Sequence, residues 1–400
     1  MVLNILILVA VLATAFLLWS PRLHGSMTWQ AMTTPLASII GSGFLVLGPI
    51  LESAYGWYAP LVMAGLCAGA YAYGAAIRFN MSAIAGQEGQ RSGLEKGLEE
   101  AASWSLAFAY VISVAYYLNL FGAFGVSLTT VDDAFHAKLL TTAIFIVILF
   151  VGWTRGFKML EQMEYVSVTT KLAIIAGLLV ALAVYFFGKA FNGGLIFNRP
   201  EISGWPALTL AFGLIVTVQG FETSRYLGTE YDSKTRIRSM QMAQWISTGI
   251  YMIYIGLIAY VFERGEFELA ETAIVDMMGV VAPILPVLLV AAALAAQFSA
   301  AVADTSGSGG LVYELTANRV SARQAYFGLT AIGLVLTWSA DVFQIISYAS
   351  RAFALYYMLQ AVIAASTAFR LPGGYRRGLQ FAALALVGAL IAVFGQPVEI

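Results

Sequence analysis

The sequence predicts an all-α protein threaded many times through a membrane, on three observations. Apolar stretches of about 20 residues recur along the whole chain, each long enough to cross a hydrocarbon core near 30 Å thick. Charged residues make up 11% of the chain and hydrophobic ones 60%, whereas globular chains carry about a quarter charged residues. The basic residues crowd into alternate loops, as the positive-inside rule requires of a polytopic protein. With a mean hydropathy of +0.81, the chain has no room for a soluble domain.

About twelve spans are expected: 2–19, 31–51, 57–77, 104–128, 139–153, 165–188, 206–226, 241–262, 280–306, 325–338, 342–368 and 378–395. If the first begins outside, alternation leaves Lys138, Lys189, Arg199 and Arg264 outside and puts Lys171 and Arg351 within spans. The other fifteen of the 21 basic residues lie inside. That bias places both termini on the extracytoplasmic face, the cytoplasmic membrane of a prokaryote being the expected location. The first span lacks a basic leader and ends Trp19-Ser20-Pro21-Arg22, so it reads as a retained helix and not a cleaved signal.

Several function classes are disfavoured by what the chain contains. Cys67 is the sole cysteine, and His24 and His136 both fall in loops, which argues against disulfides and histidine-rich metal sites. There is no Walker-A lysine loop, catalytic triad or metal cluster, so neither hydrolysis nor primary pumping is expected and the protein is not read as an enzyme. No organic cofactor and no nucleic-acid partner are expected; the partners are a small solute and the lipid bilayer. Two loops stand out. Residues 78–103 are expected to carry a surface helix around 94–102, and the acidic stretch 263–278 reads either as a solvated loop or as an amphipathic lid over an external vestibule.

Two spans contain glycine breaks at their centres. One reads Ile39-Ile40-Gly41-Ser42-Gly43-Phe44, the other Val216-Thr217-Val218-Gln219-Gly220-Phe221-Glu222. Backbone freed by such breaks is tolerated in a bilayer only where protein or a cavity surrounds it. Two interrupted spans at corresponding places in two halves point to a transporter's binding site. The charge alternation makes the first broken helix run inside to outside and the second outside to inside. Five spans start with each break, giving a five-plus-five inverted repeat with one extra helix before and one after. The expected divisions are 1–29 (extra helix and loop), 30–190, 200–370 and 371–400 (last helix).

At the first break, unpaired N–H groups at Ser42 and Gly43 and the positive end of a half-helix suit a carboxylate, while carbonyls near Ile40 suit an ammonium. Close packing through small residues is the competing reading. Glu222, a carboxylate at membrane depth, is a functional candidate by default. Arg225 follows one turn later, so an internal ion pair is equally open. Gln219 would line the same break. Lys171 either snorkels to the cytoplasmic interface or acts within the protein. Val302, Thr305 and Ser306 place a carbonyl and two hydroxyls on one helical face, a set of oxygens that suits a hard cation. Asp304 could neutralise either a lysine or a cation. Phe44, Phe221, Tyr110, Tyr116 and Tyr117 are positioned to gate a central site. Arg351 is either a buried functional residue or a partner for an acid such as Asp341.

The string Ile39-Ile40-Gly41-Ser42-Gly43-Phe44-Leu45 resembles the glycine-rich first core helix of the amino acid–polyamine–organocation (APC) permease superfamily. Gly220-Phe221-Glu222, then Gly228-Thr229-Glu230 and the basic loop 234–238, looks like its sixth core helix and exit. Gly156-Phe157-Lys158 followed by Lys171 resembles the start of its fifth. These motifs keep their order across roughly residues 30–370, and the extra flanking helices are similar to those of sodium/solute symporters. The resemblance implies a LeuT-type fold. It also implies Ser42 and Gly43 amides for a carboxylate, and Ile40, Val216 and Thr217 carbonyls for an amine. Gly41, Gly220 and Phe221 would complete the site. It further implies a glutamate at Glu222 coupling proton state to gating, and either a lysine at Lys171 replacing sodium or a sodium ion held by Ala37, Ile40, Val302, Thr305 and Ser306. The expected function is secondary active transport of a small zwitterion, an amino acid or related amine, proton-coupled or by exchange. A sodium/solute symporter and a non-transporting membrane sensor are the alternatives. The small aliphatic residues at Val216, Thr217 and Val218 suggest a roomy side-chain pocket.

Overall fold

In the computed structural model, which describes residues 2–41, 43–86, 93–154, 158–227 and 231–398, every regular element is helical; there is no strand among the described residues. In chain order the helices are α1 (Val2–Leu18), α2 (Pro21–His24), α3 (Met27–Ile39), α4 (Gly43–Tyr55), α5 (Ala59–Gly86), α6 (Gly93–Val126), α7 (Ala134–Thr154), α8 (Lys158–Phe191), α9 (Gly204–Gly213), α10 (Ser233–Ile258), α11 (Ala273–Val281), α12 (Leu285–Leu315), α13 (Ala322–Ser339), α14 (Val342–Arg370) and α15 (Tyr375–Phe394). Tight 3₁₀ turns cover Gly56–Tyr58, Ile215–Val218 and Phe221–Tyr226.

Helix falls at each of the expected spans. Among the described residues, seven helical runs are long and apolar enough to cross a membrane, the joined α4–α5 run being one. The other expected spans fall short for visible reasons. α1 has 17 residues, the two broken spans are divided, and α10 and α13 mix polar side chains into their faces. The expected surface helix at 94–102 is instead the first part of α6, a continuous helix of 34 residues. At 1.5 Å per residue α6 is about 51 Å long, so its acidic first turns project beyond a 30 Å core. The acidic stretch 263–278 divides: its second half enters α11, whose Ile274, Met277 and Met278 are buried. That half is a packed element and not a solvated loop.

Burial separates core from shell. The apolar part of α6 is 89% buried, that of α7 only 17%. α6 packs against α12 and α14, while α7, α13 and α15 lie outside them. Apolar residues all round a helix require burial on every side, whereas a shell helix exposes one face to lipid. α12 and α14 thus frame the middle; α3 packs on α12, the turn at 215–218 packs on α14, and α10 packs on α3 and on the turn at 221–226. Capping boxes at Ser321 and Asp341 start α13 and α14, each side-chain oxygen taking an N–H that the first turn leaves free. Asp341 is therefore committed to its helix. Arg351 is exposed and donates to the Ala392 carbonyl at 2.8 Å, so it is neither the buried functional residue nor the partner of Asp341 that the sequence left open.

α1 docks on α8 through Gly177, where an added Cβ would sit 2.7 Å from Val11 Cγ2 and 3.3 Å from the Ile7 carbonyl. Gly177→Leu should therefore destabilise the protein by about 1–3 kcal/mol, read from denaturant unfolding in detergent micelles. An unchanged midpoint would show that α1 is not packed this way.

Candidate functional site

The first break arises where α3 stops. Pro35 lies within α3, and Ile40 turns out of the helix at φ −86°, ψ 27°; α4 restarts at Gly43. Ser42 lies outside the described residues. The second break is longer. α9 ends at Gly213, one tight turn covers Ile215–Val218, Gln219 is extended, and Gly220 takes φ +114° before the next tight turn. A side chain at that φ would be strained, and its Cβ would also run into Ser38 and the Ile39 amide.

The two breaks touch. A Cβ on Gly43 would collide with Thr217, and Gly220 lies on Ser38 and Ile39. Tyr251 of α10 joins them: its hydroxyl is 2.9 Å from the Ile39 carbonyl and 2.7 Å from that of Thr217. One phenolic proton thus serves two backbone acceptors, one from each break. Ser350 of α14 secures the far side, donating to the Gly213 carbonyl at 2.6 Å and accepting from the Val216 amide at 3.0 Å. The Val216 carbonyl accepts from the Gln219 amide. Neither Tyr251 nor Ser350 is singled out by the sequence. Among 20 tyrosines, nothing local distinguishes the one whose partners lie 34 and 212 residues away.

Glu222 is fully buried and does not pair with Arg225. Its Oε2 accepts from the Gly220 amide at 3.0 Å and the Tyr357 hydroxyl at 2.9 Å. Arg225 turns the other way and pairs with Glu99 of α6 and with Gln360 of α14. The internal Glu222–Arg225 ion pair is thus replaced by one that ties α6 and α14 to the end of the second break. Asn80 of α5 joins the same cluster through the Gln360 carbonyl and Oε1, each at 2.9 Å. Glu95, one turn before Glu99, pairs with Arg370 and accepts from Thr367 at 2.9 Å.

Gln219 donates to the Tyr117 hydroxyl at 2.7 Å, and Tyr117 also faces Asp304 and Ser38. Asp304 is buried in α12 and accepts from Ser113 of α6. Gln219 Oε1 and Glu222 Oε1 are buried and receive no hydrogen bond from the protein. Two unmet acceptors at one break are uncommon, because each loses its hydration without compensation. Lys171 is 1% exposed and its ammonium donates inward to the Ala37 carbonyl at 2.5 Å, so it does not snorkel. Thr305 donates to the Ala301 carbonyl at 2.6 Å, Val302 is buried and Ser306 half-buried. α12 reaches the first break at Ala300, 3.5 Å from a Cβ placed on Gly41. Phe44 packs on Tyr254 and Tyr251, with ring centres 4.4 and 5.6 Å apart. Phe221 stacks on Tyr357, Tyr110 meets Phe353 edge-on, and Tyr116 lies beside Tyr117.

At Val216, Thr217 and Val218, where a roomy pocket is expected, Thr217 instead fills the space above Gly43. The cavity beside the breaks, walled by Ile39, Cys67, Val218 and Tyr251, measures about 10 Å³, room for about one water. A larger cavity of about 210 Å³ lies toward the far end of α4, between Glu52, Arg264, Glu268 and Met277. Glu52 accepts there from Asn198 at 2.6 Å.

A family model described as APC superfamily transporter matches residues 21–395. The chain belongs to the APC superfamily of transporters. It is also similar to a protein of Aquifex aeolicus (strain VF5) described as uncharacterized, at 41% identity over 402 residues and 96% of either chain. The family match begins after α1, so that helix lies outside the part this transporter shares with the family model. It packs on α8.

A double-mutant cycle separates the two partners open to Arg225. Arg225→Ala with Glu99→Ala should show a coupling of about 1–3 kcal/mol in unfolding free energy. Arg225→Ala with Glu222→Ala should be close to additive, and the opposite ranking would restore the internal pair.

Proposed function

We propose that this APC transporter is a secondary active transporter of a small zwitterion, an amino acid or related amine, working by alternating access. It would do so with a LeuT-type core of five plus five helices, proton-coupled or by exchange, in a prokaryotic cytoplasmic membrane with both termini outside. The observation that carries this reading is the contact of two broken segments, each presenting a main-chain carbonyl to the single hydroxyl of Tyr251. An ammonium brings three donors, enough for both carbonyls and for Gln219 Oε1 or Glu222 Oε1. The start of α4 supports the carboxylate end, since a helix N-terminus favours negative charge.

The position of Lys171 favours a sodium-independent mechanism over the sodium symporter. Its ammonium holds the Ala37 carbonyl, one of the oxygens a sodium ion would need, and a second cation beside it would be repelled. The cytoplasmic cluster around Arg225 supports a gate on that side, because Glu99, Asn80 and Gln360 come from three separate helices.

A thermal-shift screen of amino acids, amines and small acids, with and without sodium at two pH values, followed by uptake into proteoliposomes, tests the reading. Stabilisation by a zwitterion together with sodium-independent uptake is expected, and binding without flux would favour a sensor. Sodium-dependent affinity that disappears in Thr305→Ala/Ser306→Ala would favour the sodium symporter. Gly43→Val should abolish uptake by forcing the breaks apart at Thr217; transport at unaltered affinity would refute the site. Lys171→Ala should lose uptake, and a gain of sodium dependence in that variant would show that the ammonium stands where a sodium ion can bind.

A further inference from the structure

We propose that the apolar groove between α5, α9 and α15 is a binding site for one acyl chain of a membrane lipid. The groove encloses about 620 Å³. Its rim is open on the membrane side, where Leu61 is 69% and Leu208 45% exposed. Two of its hydroxyls are taken up by backbone: Tyr55 donates to the Ala207 carbonyl at 2.6 Å and Tyr73 to the Leu384 carbonyl at 3.2 Å. What faces the groove is mostly hydrocarbon, which suits a lipid tail better than a polar solute.

Its length selects the occupant. Along α5 the groove runs from Leu61 to Tyr73, a rise of about 18 Å. One leaflet contributes about 15 Å of hydrocarbon, half of a 30 Å core. The groove therefore matches one tail of one leaflet, the outer one in the orientation proposed above. A helix of a second copy, about 10 Å across, would need roughly 1,400 Å³ over the same length.

Gly65 and Gly69 make the groove possible. They lie one turn apart on the wall formed by α5, inside a helix, where glycine is a poor former. Packing does not require them: a Cβ on Gly65 would meet nothing within 4 Å, and one on Gly69 only Ile215 Cδ1 at 3.9 Å. The missing side chains leave room that no other described residue fills.

The deep end of the groove reaches the second break. Ile215 opens the first tight turn, and Tyr73 stacks on Tyr357 with ring centres 5.1 Å apart. Tyr357 in turn stacks on Phe221 and donates to Glu222. A chain seated in the groove therefore braces the back of the break from the lipid side.

The test uses the full chain in vesicles of phosphatidylethanolamine and phosphatidylglycerol, with a trace of phosphatidylcholine carrying a mid-chain diazirine. After photolysis, adducts mapped by mass spectrometry should concentrate on the groove-facing parts of α5 and α9. Gly65→Phe and Gly69→Leu should reduce those adducts several-fold. Gly188→Leu, which adds bulk at an exposed position of α8 with nothing within 4 Å, should leave them unchanged. Stripping lipid should lower the melting temperature of the unmodified protein more than that of the filled variants, since a ligand stabilises by mass action. Melting of the filled variants above that of the stripped parent checks that they fold. Adducts spread evenly over the outer helices, adducts indifferent to filling, or a cross-link between two copies through this face would each overturn the proposal.

Discussion

Backbone groups released inside a bilayer have no water to bond with, and the rest of this structure follows from how they are met. Each helix break frees amides and carbonyls, and each unmet one in hydrocarbon carries a penalty of several kcal/mol. Here the partners are long-range. Tyr251 takes a carbonyl from each break, Ser350 bridges Gly213 and Val216, and Glu222 Oε2 folds back onto the Gly220 amide. α10 and α14 are consequently fastened to the breaks by hydrogen bonds as well as by packing. Neither can move away from the breaks unless those bonds find new partners.

The charges obey the same constraint. A buried ion needs a partner with good geometry or it destabilises the fold. Arg225 satisfies this with Glu99 and Gln360, leaving Glu222 to a hydroxyl and an amide. Lys171 satisfies it with a main-chain carbonyl at the end of α3. Each of these ions lies where one helix meets the end of another. Charge pairs at such joints hold one arrangement of helices firmly, and they are also the contacts that must exchange for another arrangement to form.

Much of the fold was legible because membrane burial writes itself into composition. Apolar length found the helices. The glycines at 41, 43 and 220 marked the breaks, because the backbone leaves or re-enters a helix at or beside each of them. The limits of α6 were missed because no residue between Leu94 and Val126 stops a helix, so the interface where the hydrocarbon ends is invisible to local pattern. The site was legible in one dimension only. Glu222 and Arg225 are a turn apart in sequence, yet their partners come from α6 and α14, and proximity along the chain gave the wrong pairing. Tyr251, Tyr357 and Ser350 carry no local signature, since their roles are set by what lies opposite them. Ser42, together with the motif residues at 155–157 and 228–230, falls outside the described residues.

The contact of Gly43 with Thr217 constrains any mechanism at this site. A Cβ on Gly43 would lie 2.5 Å from Thr217 Cα, so not even a methyl group fits between the two breaks at that point. A solute held between the breaks, as proposed above, would require Gly43 and Thr217 to separate. Separation would withdraw one of the two carbonyls from Tyr251, and the hydroxyl can follow only one of them. The released carbonyl then needs a donor at the moment the space opens. A solute with several N–H donors can meet that need, whereas a purely anionic one cannot. The geometry that closes the site thus also favours the chemistry of what could reopen it.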